Sequence, residues 1–353
     1  MSKIKLLYIL PDMSNAGPVN MCLNLIQGLN IKDYEIKIIA LGGGEMIEQF
    51  KYYADVKILS RKNIFAFRNY VRQYNFDIIH SHTIIADLFS NLSRCKSLRL
   101  TTIHNYPDID SIYRRGKLVG GILFQLQKHV IKNILKVACS HAVKEYCATT
   151  LHLNNIVSIP NGVCAKEIPE RVISDETVRF YYLGSITRRK NVDELLDAFI
   201  SWCDDKNTHL SIIGDGDLLD VFSKKYQNEK ITFHGKVKSP SVVINKLDCF
   251  VSSSKAEGMP LALLESLSLG KAYICSNIAP HKEVFNNDRG LSGQVYELGN
   301  DKLLIKALDD YYNSGDKKLL SYNARKCFEK YYDVKLMSSE YDKLYKSIVR
   351  NSN

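Results

Sequence analysis

Two glutamates, Glu257 and Glu265, have seven residues between them, beginning Gly258-Met259-Pro260-Leu261, and a basic triplet, Arg188-Arg189-Lys190, lies upstream of them. Carboxylates can accept hydrogen bonds from the polar part of a ligand, and cations neutralise phosphate oxygens. The apolar run Cys249-Phe250-Val251 leads into a loop of small residues. A helix is expected from Pro260 to Leu269, with proline near its first turn and Gly270 just past its end. Such a helix start offers free N–H groups and a positive dipole end to a phosphate, so at least one carboxylate can reach the non-phosphate part of the same ligand. A capped helix with two solvated glutamates would carry the same string. The triplet precedes a second expected helix, Val192 to Trp202, where cations oppose the dipole; an anionic ligand bridging them would remove that conflict.

These groups need a scaffold that brings strand ends together, and the chain alternates accordingly. Strands are expected at Ile4–Leu10, Tyr34–Leu41, Val56–Leu59, Ile78–Ser81, Leu100–His104, Val137–Ser140 and Val157–Ile159, with helical patterns between most of them. A second series follows at Val178–Leu183, Leu210–Ile213, Ile231–Gly235, Cys249–Val251 and Ala272–Cys275, ending in a helix that includes Lys335 to Val349. Repeated β–α units predict an α/β fold of doubly wound parallel sheets, whose ligands sit beyond the carboxyl ends of strands. His80, His82, His104 and Asn105 fall at such ends. A single strand-end histidine is most often a satisfied structural group, and no carboxylate or cysteine spacing turns the three into a zinc site. The opening turn, Pro11 to Pro18, contains Gly17 but no Gly-x-Gly-x-x-Gly, which disfavours a nicotinamide dehydrogenase. Between Cys164 and Thr177 the pattern lapses into Lys, Glu, Pro, Ser and Asp, the expected linker.

Glu-x7-Glu around Gly-Met-Pro-Leu, followed by Ser-Leu-Gly-Lys, Ser276-Asn277 and Glu283, resembles the donor-site signature of retaining glycosyltransferases of family four. That resemblance implies the GT-B fold, two Rossmann-like domains facing each other across a cleft. The expected division is an acceptor-binding domain over 1–165, a sugar-nucleotide-binding domain over 166–334, and a C-terminal helix over 335–353 packing back on the first domain. Pro160-Asn161-Gly162-Val163 matches the family's interdomain segment, and Thr-Ile-His at His104 matches its acceptor-domain histidine, which touches the donor sugar. The resemblance is sharpest at Lys190, at Gly214 and Gly216, and at Glu257 to Glu265, with Gly258, Met259, Pro260 and Leu261 in the donor signature. It implies that Glu265 grips ribose hydroxyls, Glu257 the sugar hydroxyls, and that Lys190 with Arg188 or Arg189 neutralises the diphosphate. The family's arginine position holds Ser185 here, and spacing does not choose between the two arginines. Gly17 matches the family's glycine-rich loop near the donor phosphates only in part, because Pro18 replaces a second small residue.

The implied activity is that of a metal-independent hexosyltransferase with a sugar-nucleotide co-substrate and no cofactor. A GT-B sugar-nucleotide epimerase and a non-catalytic two-lobed sugar-binding protein are the alternatives. No Asp-x-Asp element suggests a bound divalent ion.

Composition and charge narrow the partners. Apolar content of 45% and charged content of 24% are those of a soluble globular protein. Nine scattered cysteines without paired metal spacing predict reduced thiols. The start is too short for a signal sequence, and no later run is long enough to span a bilayer. Of the net charge of +10, residues 1–165 hold 20 Lys+Arg against 11 Asp+Glu. One-sided charge suits an anionic membrane, a phosphorylated acceptor or nucleic acid. The basic run at Arg114-Arg115-Gly116-Lys117, and Lys128, Lys132 and Lys136 read as one helix face, favour the membrane over nucleic acid. Together with the family's habits this predicts a cytoplasmic enzyme, peripheral on the inner face of the plasma membrane. Its acceptor would be a lipid-linked saccharide for capsule or O-antigen.

Overall fold

The computed structural model describes residues 3–167 and 176–351. The chain divides into two units, Met1–Gly162 with Val334–Asn353, and Val163–Asp333. Most of the expected linker, Cys164 to Thr177, coincides with residues 168–175, which lie outside the described residues.

The first unit is a seven-stranded parallel sheet of β1 (Ile4–Leu10), β2 (Tyr34–Ala40), β3 (Asp55–Ile58), β4 (Ile78–His82), β5 (Leu98–Ile103), β6 (Leu135–Ala138) and β7 (Ile156–Ser158), in the order β3-β2-β1-β4-β5-β6-β7. The second is a six-stranded parallel sheet of β8 (Val178–Leu183), β9 (Thr208–Ile213), β10 (Ile231–Gly235), β11 (Cys249–Ser252), β12 (Ala272–Ser276) and β13 (Gly293–Tyr296), in the order β10-β9-β8-β11-β12-β13. Helices connect most of the strands, as parallel pairing requires. Central strands buried on both faces explain the near-continuous apolar runs: five consecutive residues of β1, Leu6 to Leu10, are fully buried. In each unit the strand order reverses beside the unit's first strand, between β1 and β4 and between β8 and β11. Those are the switch points where open parallel sheets bind ligands.

The helix Val334–Arg350 belongs to the first unit. It buries Met337, Tyr341 and Tyr345, and the Ser338 hydroxyl donates to the Leu25 carbonyl at 3.1 Å. Gly28 permits this approach, since a Cβ there would lie 2.2 Å from Ser338 Oγ. At the other boundary Val163 N–H donates to the Tyr332 carbonyl at 3.0 Å.

One expectation fails. Lys128, Lys132 and Lys136 do not share a helix face, because the helix Pro107–Val130 ends before Lys132. Lys136 is a fully buried residue of β6 whose ammonium donates to the Lys132 and Ile134 carbonyls at 3.2 and 2.7 Å. The i, i+4 spacing runs on through the helix end, so it carries no common face.

Candidate donor site in the second unit

The loop after β8, Gly184 to Asn191, and the loop after β11, Ser253 to Pro260, meet at the second switch point. Lys255 N–H donates to the Arg189 carbonyl at 2.9 Å, and the Ser253 hydroxyl to the Asn191 carbonyl at 2.6 Å. From the end of β12, the Ser276 hydroxyl donates to the Ser254 carbonyl at 2.7 Å. Small hydroxyl side chains let the two loops and the end of β12 close on one another while satisfying backbone acceptors, which accounts for the run Ser252-Ser253-Ser254.

These contacts place Glu257 against both cations. Lys190 Nζ pairs with Oε1, and Arg189 Nη1 with Oε2 at 3.1 Å. The Ser254 hydroxyl adds a 2.8 Å hydrogen bond to Oε1. Burial alone would push the Glu257 carboxyl up; the charges of Lys190 and Arg189 overcome it and draw the pKa down to about 2. The group is therefore ionised at any ordinary pH. Arg188 is exposed, so of the two arginines Arg189 is the one in the cluster. The conflict between the basic triplet and the helix Val192–Trp202 is relieved within the chain, by Glu257 and by Asp193 and Glu194 in the helix's first turn.

Gly214 and Gly216, after β9, hold the first of these loops from behind. Their φ values are 144° and 157°. A Cβ on Gly214 would lie 1.8 Å from the Gly184 carbonyl oxygen, and one on Gly216 2.4 Å from that of Ile186. Any side chain at either position would push the Gly184-to-Asn191 loop forward. The Gly-x-Gly pattern thus has a packing role of its own beside its match to the family turn.

Gly258, Met259 and Pro260 are buried ahead of the helix Leu261–Ser268, with Pro260 as N-cap and Leu261 first in the helix, one residue later than the sequence suggests. Pro260 has no N–H, and no side chain caps this start. Glu265 points from the helix with its carboxylate in no hydrogen bond or ion pair among the described residues, and burial raises its pKa against an opposing pull from Lys166.

In the first unit, Gly17 opens the helix Gly17–Gly28 with nothing within 4 Å of where a Cβ would stand, so no neighbour forbids a side chain there. His104 follows β5, and its Nε2 lies 2.9 Å from His82 Nδ1. His80 bridges the Tyr345 hydroxyl at 2.7 Å and the Thr102 hydroxyl at 2.8 Å. Tyr345 also meets the Tyr8 hydroxyl at 3.1 Å. Burial holds His80 and His82 well below the usual histidine range and His104 down to about 3, so all three rings are neutral. The sequence singled out the histidines but not their tyrosine partners, which come from a helix at the far end of the chain.

Among the described residues no group of three or more His, Cys, Asp or Glu is placed to hold a metal ion. None of their helices is long and apolar enough to cross a membrane.

Residues 165–327 match the family model of glycosyl transferases group 1, and residues 16–167 that of glycosyltransferase family 4. The chain is 24% identical to the O-antigen biosynthesis glycosyltransferase WclY of Escherichia coli, over 98% of this chain and 99% of that one. It is also 24% identical to the capsular polysaccharide biosynthesis glycosyltransferase CapH of Staphylococcus aureus, with the same coverage. Anabaena Alr3699/HepE, solved in complex with UDP and glucose, superposes with a TM-score of 0.83 at 13% identity, over 98% of this chain and 100% of that one. With two adjoining family models spanning most of its length and the paired parallel sheets of the fold, the chain belongs to the GT-B glycosyltransferases.

Proposed function

We propose that this glycosyltransferase takes a hexose from a nucleoside-diphosphate sugar held in its second unit and passes it, with retention of anomeric configuration, to a lipid-linked saccharide. The observation that carries the reading is the Arg189–Lys190–Glu257 cluster at the switch point between β8 and β11. Two cations held at one carboxylate form a preorganised anion site. The donor diphosphate would share them with Glu257, and they would stabilise the negative charge that grows on the leaving phosphate. The acceptor oxygen bonds to the anomeric carbon as the bond from that carbon to the phosphate oxygen breaks. The acceptor's proton passes to the leaving phosphate, so no dedicated base is needed. Glu265, whose carboxylate makes no hydrogen bond among the described residues, is suited to the ribose hydroxyls, and Glu257 keeps a role toward the sugar hydroxyls through its remaining lone pairs. His104, neutral, can orient a sugar by hydrogen bonding but not by charge.

The acceptor class, the anionic membrane surface and the inner-face location rest on the basic first unit. They draw support from the O-antigen and capsular polysaccharide roles of the two relatives, and make surface polysaccharide the product. An epimerase needs a carboxylate that exchanges protons with the sugar ring near neutral pH, and a Glu257 held ionised by two cations does not suit that task.

Incubation with UDP-, GDP- and ADP-hexoses and a lipid-linked saccharide, read by mass spectrometry and proton NMR, tests the proposal. Free nucleoside diphosphate and an acceptor bearing the hexose in the donor's anomeric configuration are expected. An inverted product or an epimerised donor would refute it.

A further inference from the structure

The helix Pro107–Val130 is two helical segments broken at Gly116, whose φ of 78° and ψ of 169° suit glycine almost alone. The break folds the second segment against the first: a Cβ on Gly120 would lie 2.5 Å from the Ser111 carbonyl oxygen. Residues 112–119 at this bend are all exposed. The buried residues of the second segment are Gly120, Phe124 and Val130. Its outward row is apolar as well: Leu118 is 79% exposed, Ile122 63% and Leu126 41%. A helix side turned to water is ordinarily polar, and clustered exposed apolar residues mark a surface made for something else. Ile112, Tyr113 and Val119 extend the same patch.

Charge names the occupant. From Ser111 to Lys144 there are seven Lys and Arg and no Asp or Glu. Lys136 is buried in β6, and the other six border the patch in sequence; among the described residues Arg114 pairs with Asp110 at 2.8 Å. An apolar ridge within a cationic surround fits a bilayer of anionic headgroups over acyl chains, whereas a second copy of this chain would set like charge against like. We propose that this bend is the membrane-docking element, with Leu118 and Ile122 entering the acyl boundary while Arg115 and Lys117 hold the headgroups. The inference rests on the reading of a membrane-borne acceptor, and makes the attachment partly apolar rather than purely electrostatic.

The test is co-sedimentation of the full chain with vesicles of phosphatidylcholine alone or mixed with phosphatidylglycerol, without donor or acceptor. The intact protein should partition to the phosphatidylglycerol vesicles and keep a residual fraction in high salt. Leu118→Gln/Ile122→Gln should lose about tenfold or more of that partition at both salt levels. Arg115→Gln/Lys117→Gln should lose several-fold at low salt only, because salt already screens those charges. Thermal shifts with a nucleoside diphosphate should be the same in all three proteins, which shows that each is folded. An Ile122→Trp variant should shift its emission to shorter wavelength on the anionic vesicles. Equal partition of the apolar double variant would overturn the proposal. So would a dimer in sedimentation velocity that the same variant dissolves without any vesicle binding, since the occupant would then be a second copy. Failure here with intact hexose transfer removes only the docking surface, whereas intact vesicle binding without transfer removes the proposed reaction.

Discussion

The two units place polar groups at equivalent points of their sheets and fill them with opposite chemistry. In the first, His80, Tyr8, Tyr341, Tyr345 and Thr102 form a buried hydrogen-bonded network of neutral groups, with His82 and His104 stacked beside it at 5.1 Å between ring centroids. In the second, a buried Glu257 and the half-buried Arg189 and Lys190 form a cluster of charges. Desolvation acts on both; what differs is whether a counter-charge lies within reach. The histidines have only one another and hydroxyls, so burial strips their charge. Glu257 has two cations, so it keeps its own. Sheet topology therefore provides the position, and the loops decide whether that position holds neutral dipoles or charges.

The sharpest way to break this contrast is to remove one charge. Glu257→Ala leaves the half-buried Lys190 and Arg189 side by side without the Glu257 carboxylate, and losing one member of a largely buried ion pair costs about 3 kcal/mol. Urea unfolding of the variant should show that loss, and added nucleoside diphosphate should raise its melting temperature more than it raises that of the intact protein. A smaller loss, on the order of 1–3 kcal/mol, is expected from Tyr345→Phe, which takes a hydroxyl away from Tyr8 and from His80 without stranding a charge. Equal losses in the two variants would erase the distinction between the centres.

Acid should separate them more gently. His80, His82 and His104 have depressed pKa values in the folded protein, so between the usual histidine value near 6.5 and their folded values the unfolded chain binds more protons. Their contribution is fully present above about pH 6.5 and lost as pH falls below it. The Glu257 contribution is present above the ordinary carboxylate value of 4.5 and lost only on approach to about 2. Melting temperature should already decline from pH 6.5 to 4.5. His82→Asn should flatten that decline, whereas Glu257→Ala should leave its slope unchanged. A slope insensitive to His82 would mean that the rings carry protons in the fold.

How much of this was legible in the sequence follows the same division. The charged centre is built from residues close to strand ends within one unit, and local patterning found it: β8, β10 and the helix Val192–Trp202 lie where periodicity placed them. The choice of Arg189 over Arg188 was not legible, because it depends on which way a loop turns between two other loops. The neutral centre joins His80 to Tyr345, 265 residues apart, and no local pattern encodes such a contact. β13 escaped notice because Gly-Gln-Val-Tyr over Gly293–Tyr296 is neither an apolar run nor a regular apolar–polar alternation. The three-lysine face was misread because a helix pattern ran into a strand without glycine or proline to mark the end. What distinguished Lys136 was its tertiary burial, which spacing does not report.

The central claim is that the Arg189–Lys190–Glu257 cluster receives the donor's diphosphate without a metal. Calorimetric titration of UDP, GDP and ADP in EDTA, with the intact protein and with Lys190→Gln and Arg189→Gln, tests it most directly. At least one nucleotide should bind the intact protein in chelator, and each variant should weaken that binding by about 1.5–3 kcal/mol, roughly ten- to a hundredfold in Kd. Binding that needs added magnesium, or that both variants retain at full strength, would contradict the account.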